Sequence, residues 1–474
     1  MRSYVPPSGS IPTLPVPTLS RVRRVHMIGI GGAGMRNLAR LLRARGIEVY
    51  GSDMKHSSGL DELVQIGAQV WVGHDAARLG TPDVVIVSSA IGEQNPELRA
   101  ARATGIPVWA RQQALAALAA GRRAIAVAGT HGKTTTTSMI AVMLERAGLD
   151  PSYLVGGDMN ESGSGARSGG GELFVFEADE SDGSFLLARP HVGVVTNVDV
   201  DHVDFYPGGR EEIESAFEAF AAGCGCIVAC GDDPGVRSVL RDAGVRAIRY
   251  GLAEENDLVV SVDELGPAGA RGRVRTPNGA EATVRLRVDG AHNLLNAAAA
   301  IGVGSELGVP LETAADALGS FAGVHRRFEL RGSARGAEFF DDYGQTPAEM
   351  AVTIETARRR AWGRVIALVQ PHRYWRVQAF WRELGASVSG ADLVLVTDVY
   401  GAAQQPIPGV SGKLVADGVT LASPTTPVVY LPHRTEVVDY LDREVRPGDL
   451  VVTMGCGDVW MLGDAAMERL GGEG

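Results

Sequence analysis

The sequence predicts an α/β protein of three domains, with two Rossmann-like units on either side of a central unit of the P-loop ATPase type. Three observations predict this. Buried strand-like runs alternate with helix-like runs from Arg21 onward, and that rhythm restarts twice. In each of the first two units, the first strand runs straight into a glycine-rich turn. A chain of 474 residues is also too long for one ordinary domain.

The first unit, residues 21–119, opens with "RVHMIGI" as a strand and "GGAGMRNLARLLRARG" as a turn and helix, followed by "IEVYGSD" and "DVVIVSSAI" as strands. A βαβ succession of this kind gives a parallel sheet with helices on both faces. The second unit, 120–326, restarts at "RRAIAVAGT" and continues through "GELFVFEADE" and "VGVVTNVD", with residues 257–290 reading as inserted antiparallel strands. The third, 327–474, follows "RRFEL" with "RVIALVQPH", "ADLVLVTDV" and "DLVVTMGCGD". Residues 1–20 carry five prolines and no continuous apolar core, so they read as a flexible tail and not as a signal peptide.

Composition narrows the function. The hydrophobic fraction of 45% and charged fraction of 21% are those of a soluble globular protein. A net charge of -11 argues against a nucleic-acid or membrane-surface binder, and no apolar run is long enough to span a bilayer. Four cysteines fit a reducing compartment, hence the cytoplasm. Three of them, Cys224, Cys226 and Cys230 in "CGCIVAC", match no common zinc spacing and read as a buried strand. Lysine usage says more. Only Lys55, Lys133 and Lys413 occur among 45 basic residues, yet one of them sits in a glycine turn. A compact ammonium enters a backbone cradle that a planar guanidinium would overfill.

That turn, "GTHGKTTTT", follows an apolar strand and opens a helix. Gly129 and Gly132 let backbone N–H groups converge on phosphate oxygens, Lys133 reaches the terminal phosphates of a nucleoside triphosphate, and Thr134 suits Mg²⁺. The strict phosphate-loop spacing fails at Val127, where a glycine is expected. The upstream turn, "GIGGAGM", with Gly29, Gly31, Gly32 and Gly34 and with Asp53 ending the next strand, taken alone fits a dinucleotide such as NAD or FAD. "FEADESDGSF" places Glu177, Asp179, Glu180 and Asp182 at one strand end, and "TNVDVDHVDFY" places Asp199, Asp201, His202 and Asp204 at the next. Beside a phosphate loop such carboxylates suit Mg²⁺, though helix caps and solvated turns would look the same. In "DGAHNLLNAAAAIG", His292, Asn293 and Asn296 stand at a helix start, where capping accounts well for Asn293. In "QPHRYWR", His372, Arg373 and Arg376 follow a buried strand; the two arginines could clamp a carboxylate or merely start a solvated helix.

Taken together in order, these segments, with "VVSSAI", "RRFE", "DDYG" and "PIPGVSG", resemble the Mur ligase family, and within it the members that add alanine, from about residue 24 to 463. The family's loop is GT-[HN]-GK-[ST], which accounts for Val127. The resemblance implies that the first glycine turn holds the diphosphate of a UDP-sugar, with Gly31, Gly32, Gly34, Asp53, Ser88 and Ser89 on the substrate. It implies ATP at Gly129, Thr130, His131, Gly132, Lys133, Thr134 and Thr135, with His292, Asn293, Asn296 and Arg326 as further nucleotide contacts. Mg²⁺ is implied at Thr134 and Glu177, and a second metal at His202. Lys133, Glu177, His202, Arg327 and Asp342 are the implied catalytic set. Asp341, Tyr343, His372, Arg373 and Arg376 fall where the family gathers nucleotide and amino-acid contacts. The implied substrates are UDP-N-acetylmuramate and L-alanine, handled by a cytoplasmic monomer or weak homodimer without nucleic-acid or membrane partners. Two departures stand out. The family's alanine-adding members read "DDYGHHP" where this chain has Gln345 and Thr346, and residues 177–234 contain no lysine to serve as a carbamylated metal ligand, as in sister enzymes.

Overall fold

The structure is a computed structural model, and residues 16–88, 91–160, 162–203, 205–360, 362–402 and 404–471 are described. The expected tail up to residue 15, Ser89 and Asp204 lie outside the described residues. The chain divides into two compact units, Met1–Ala322 and Gly323–Gly474.

The first unit holds two sheets. The smaller is five-stranded and parallel, in the order Gln69–Val72, Glu48–Asp53, Arg24–Ile28, Val84–Val87, Val108–Ala110. Its first strand is central, so the chain leaves it on one side and returns on the other. The crevice at that switch point lies beyond the strand's carboxyl end, where the turn from Gly29 to Gly34 sits.

The larger sheet has ten strands. Its core runs Ala247–Gly251, Cys226–Cys230, Val192–Val195, Arg123–Ala128, Leu173–Glu177, Ser152–Leu154, all parallel. The predicted antiparallel insertion is present as Leu258–Gly266, Gly269–Arg275 and Glu281–Leu286 at one edge. The predicted cysteine strand is Cys226–Cys230, buried at every position. Burial pushes the neighbouring Cys224 thiol up to about 12 and the Cys230 thiol up to about 11. Arg123–Ala128 again lies at a switch point, with Leu173–Glu177 on one side and Val192–Val195 on the other. The two acidic segments therefore flank the glycine turn instead of adjoining each other.

The second unit is a six-stranded sheet ordered Glu329–Ala334, Ala337–Asp342, Asp449–Met454, Arg364–Val369, Leu393–Val396, Val428–Tyr430, antiparallel only at its first pair. The loops that follow Ala337–Asp342, Asp449–Met454 and Arg364–Val369 leave one edge side by side. Among the described residues, no helix is long and apolar enough to cross a membrane.

One polar cluster is built into the core of the smaller sheet. Glu97, fully buried, lies 3.1 Å from His26 Nε2 and accepts hydrogen bonds from Ser52 Oγ at 2.5 Å, Trp71 Nε1 at 3.3 Å and the Asp75 N–H at 3.0 Å. Burial works to raise this carboxyl, but the bonds from His26, Ser52 and Asp75 outweigh it and hold it below the usual carboxylate range. A carboxyl whose value is lowered on folding stabilises the fold above its unfolded value, about 4.3, and that contribution is lost as the pH falls through the folded value. Glu97→Gln should therefore cost about 1.5–3 kcal/mol at pH 7. Hydrogen exchange in Arg24–Ile28 should quicken accordingly. The gap between wild type and variant should close below about pH 4; a gap independent of pH would show that the carboxylate is not ionised in the folded state.

Candidate active site

The turn at Gly129 is held by backbone geometry that only glycine reaches cheaply. Gly129 has φ +133°, and a Cβ there would stand 2.0 Å from Thr196 Oγ1. Gly132, at φ +79°, caps the helix Lys133–Arg146. Two residues of the adjacent strand end pin the turn from beneath. The His131 N–H donates to Asn197 Oδ1 at 2.8 Å, and the His131 carbonyl accepts from Thr196 Oγ1 at 2.6 Å and Asn197 Nδ2 at 3.0 Å. Thr130 Oγ1 accepts from the Asp199 N–H at 2.9 Å. Thr196 and Asn197 were not singled out in the sequence, although both stand in "TNVDVDH".

Lys133 lies inside this turn. Its Nζ donates to the carbonyls of Gly129 at 2.6 Å and Thr130 at 3.3 Å, and to both oxygens of Glu180 at 2.9 Å. Burial opposes its charge, but Glu180, then Asp179 and Glu177, hold the ammonium well above its usual value. Burial likewise pulls the Glu180 carboxyl up while the ammonium pulls it down. Two carbonyls and two further carboxylates favour the ammonium, whereas burial, with Asp179 adding to it, holds the Glu180 carboxyl above its usual range. Glu180 also lies 3.9 Å from His202 Nε2, and His202, at φ +51°, is 3.5 Å from Asp201. Glu177 ends the strand beside Val127 and accepts the Gly156 N–H at 2.6 Å. Asn296 reaches the other side of the turn: its Oδ1 accepts from Thr136 Oγ1 at 3.1 Å and stands 3.1 Å from a Cβ on Gly132. Lys133, Thr134, Glu177, His202 and Asn296 thus come from four segments to one glycine turn.

One expectation changes here. The helix Ala291–Glu306 is capped by Gly290, not by Asn293, whose Nδ2 donates to the Asp289 carbonyl at 2.7 Å. His292 folds over Gly290, where a Cβ would meet its ring at 2.4 Å.

At the first glycine turn, the Gly31 N–H donates to Asp53 Oδ2 at 2.9 Å, and Ser88 lies against Gly29. A Cβ on Gly34 would stand 2.7 Å from an Arg111 nitrogen, and the Arg111 guanidinium is 4.0 Å from Asp179. Arg111, unnoticed in the sequence, thereby links this turn to the acidic end of the larger sheet.

The remaining residues singled out lie in the second unit. Arg326, at φ +63°, donates from Nε to Asp341 at 2.8 Å and from its two terminal nitrogens to the carbonyls of Gly457 and Gly455. The guanidiniums of Arg326 and Arg327 lie 4.9 and 5.2 Å from the Tyr343 ring. Asp342 accepts the Phe328 and Gly344 N–H groups at 2.9 and 2.8 Å, and burial raises its carboxyl. Arg373, at φ +64°, caps the helix Tyr374–Val388. Arg376 is no solvated helix residue: it is 1% exposed, and one guanidinium nitrogen lies 3.0 Å from Gln345 Oε1 and 3.1 Å from His372 Nδ1. Thr346 caps the helix Pro347–Arg358 in a reciprocal pair with Glu349.

Comparison with known proteins matches each part of this architecture. The pattern described as Mur ligase family, catalytic domain, matches residues 24–123; the Mur ligase middle domain matches 127–304; and the Mur ligase, glutamate ligase domain matches 326–457. The UDP-N-acetylmuramate--L-alanine ligase of Mycobacterium sp. (strain JLS) is 45% identical over 97% of both chains. That of Kineococcus radiotolerans is 46% identical over 95% of this chain and 97% of its own. Among solved structures, the UDP-N-acetylmuramate-alanine ligase of Thermotoga maritima superposes with a TM-score of 0.81 at 27% identity, over 94% of this chain and 98% of that one. A murein peptide ligase from Psychrobacter arcticus gives 0.74 at 25% identity, over 95% and 99%. The chain belongs to the Mur ligase family and is an ATP-dependent ligase.

Proposed function

We propose that the chain joins L-alanine to the lactyl carboxylate of UDP-N-acetylmuramate, converting ATP to ADP and phosphate and forming UDP-N-acetylmuramoyl-L-alanine for peptidoglycan synthesis in the bacterial cytoplasm. The observation that carries this reading is near-full-length identity of about 45% to relatives named for that reaction. We take the domains as 21–119 for the UDP-sugar, 120–326 for ATP, and 327–474 for amino-acid and nucleotide contacts, in a monomer or weak homodimer.

The chemistry needs both glycine turns. A carboxylate is a poor acylating agent because oxide would have to leave. Attack of its oxygen on the γ-phosphorus expels ADP and leaves an acyl phosphate. The neutral amine of alanine then attacks the carbonyl carbon, a tetrahedral intermediate collapses, phosphate departs, and the nitrogen loses its proton. Positioning and charge neutralisation supply most of the help. Lys133 serves the γ-phosphate, exchanging its bond to Glu180 for one to phosphate oxygens. The backbone of Gly129, Thr130, His131 and Gly132, with Thr135, cradles the phosphates, and His292, Asn293, Asn296 and Arg326 complete the nucleotide site.

The Thr134 hydroxyl and Glu177 carboxylate are hard oxygen donors beside a phosphate cradle, the donor set that Mg²⁺ takes when phosphates and water supply its other ligands. His202 would hold a second ion. When bound, the metal supplies positive charge against the transferring phosphoryl group. Gly31, Gly32, Gly34, Asp53, Ser88 and Ser89 hold the UDP-sugar. Arg327, Asp342 and Tyr343 order the last domain's edge, and His372, Arg373 and Arg376 receive alanine, with Arg376 meeting its carboxylate.

Ligation of another amino acid or a peptide by the same chemistry is favoured by one observation, that Gln345 and Thr346 replace the histidines of the alanine-adding pattern. Phosphate release with ATP, Mg²⁺ and UDP-N-acetylmuramate tests both readings. Release that requires L-alanine, with a product heavier by one alanyl residue, supports the first. Silence with alanine and turnover with serine, glycine or a tripeptide supports the second.

Lys133→Ala should lower ligation by at least about a thousandfold, while UDP-N-acetylmuramate titrated by calorimetry should bind as in wild type; a large loss of that affinity would contradict the two-turn division. Arg376→Ala should raise the KM for alanine by about ten- to a hundredfold. An unaltered alanine dependence would remove Arg376 from the clamp.

A further inference from the structure

The helix Ala33–Ala44 opens at the first glycine turn and carries Asn37 in its second turn, among the buried Met35, Leu38 and Leu41. Asn37 is itself 0% exposed. Its Nδ2 donates to the Val155 carbonyl at 3.1 Å, while its Oδ1, also buried, makes no hydrogen bond among the described residues. A carbonyl only accepts, so the amide nitrogen must be the atom that faces Val155. An apolar residue would fill this place without leaving a buried oxygen unmatched. What it could not supply is the bond to Val155.

The Val155 carbonyl and the Gly156 N–H belong to one planar peptide group. That group follows the strand Ser152–Leu154, which pairs with Leu173–Glu177, so it runs past the end of the Glu177 strand. The Gly156 N–H donates to Glu177 Oε1 at 2.6 Å, and a Cβ on Gly156 would stand 2.8 and 2.9 Å from the two carboxylate oxygens. On the other side, a Cβ on Gly165 would stand 2.2 Å from Asn37 Nδ2, and the Gly165 carbonyl takes the Val155 N–H at 2.7 Å. Glycine at these two positions leaves room for the amide on one side of the peptide and the carboxylate on the other. A donor on the carbonyl fixes the plane and polarises its N–H toward Glu177. Arg36 with Asp158 and Arg40 with Ser164 also bind the helix to this loop, through side chains, and they remain when Asn37 is altered.

We propose that Asn37 is a positioning residue for Glu177, its amide orienting the Val155–Gly156 peptide that aims the carboxylate at the metal ion of the nucleotide. This rests on the reading of Glu177 as a Mg²⁺ ligand. The helix that opens at the first glycine turn thereby sets a donor of the second site.

The test is a titration of the full chain with Mn²⁺ in the presence of ATP, following free Mn²⁺ by electron paramagnetic resonance. Four proteins are compared: wild type, Asn37→Ala, Glu177→Gln and the double variant. Asn37→Ala should weaken Mn²⁺ binding about threefold to tenfold, since it acts one link beyond a direct partner of the ligand. In the Glu177→Gln background the same change should alter the affinity by less than about twofold, because the group it acts through is already lost. Deuterium exchange at the Gly156 amide should quicken in Asn37→Ala. Asn37→Ser, whose shorter side chain falls short of the carbonyl, stands in should the alanine variant not fold. Wild-type Mn²⁺ affinity in Asn37→Ala, with only its melting temperature lowered, would overturn the proposal, as would an equal loss in both backgrounds. Either result beside a weakened Glu177→Gln leaves Glu177 as a ligand and removes Asn37 alone. Unchanged affinity in Glu177→Gln itself would remove the ligand, and the role of Asn37 with it.

Discussion

The contact between Gly129 and Thr196 is the constraint on which the candidate site depends. The strand Arg123–Ala128 sits at the switch point of the larger sheet, and its chain must turn at once into the helix Lys133–Arg146. It does so by pressing against the end of the next strand, so closely that no side chain fits at residue 129. That close approach lets Thr196 and Asn197 grip the His131 carbonyl, while Asn197 also takes the His131 N–H, so the turn is held at both polar groups of one peptide-bonded residue. Any larger residue at 129 would push the two strand ends apart. Glu177 on one side and His202 on the other would then shift relative to the turn.

Charge completes what the backbone begins. Lys133 is surrounded by Glu180, Asp179 and Glu177, so the turn holds a buried ammonium with more acid around it than it can satisfy. A surplus of negative charge beside a cradle for anions is unfavourable in isolation. Arg111 bears on the same balance from the smaller sheet, lying between Gly34 and Asp179. Because the smaller sheet also meets the loop after Ser152–Leu154 of the larger one through Arg36 with Asp158 and Asn37 with the Val155 carbonyl, the two glycine turns belong to one compact unit. The substrate carboxylate and the γ-phosphate need such a shared frame if they are to meet in line.

Much of this was legible in the sequence, because strand-to-helix turns rich in glycine carry their geometry in local residue types. The three sheets, the antiparallel insertion, and both glycine turns follow from patterns within about thirty residues. What was not legible depends on pairs far apart. Thr196 and Asn197 look like ordinary turn residues until the strand order puts them beneath residue 131, 65 and 66 positions away. Arg111 reads as a helix start until the fold lays it over Gly34. Asn293 looks like a cap because Asn caps helices well, yet Gly290 already occupies that position and leaves Asn293 to bond the Asp289 carbonyl. The burial of Arg376 was equally hidden, since nothing within one helix turn reveals that a second and a third strand end cover it.

The loop after Asp342 shows how a departure from the family pattern can be built into a structure instead of eroding it. Thr346 precedes Pro347 and stands three residues before Glu349, a T-P-A-E sequence whose threonine accepts the Glu349 N–H while the glutamate returns to the Thr346 N–H. A threonine cap of this kind is worth about 1 kcal/mol relative to a residue that cannot make it. The same glutamate takes the Gln345 N–H, so the two replaced positions share one acceptor and are fixed together. Local capping, loop conformation and the orientation of Arg376 all agree on these two residues.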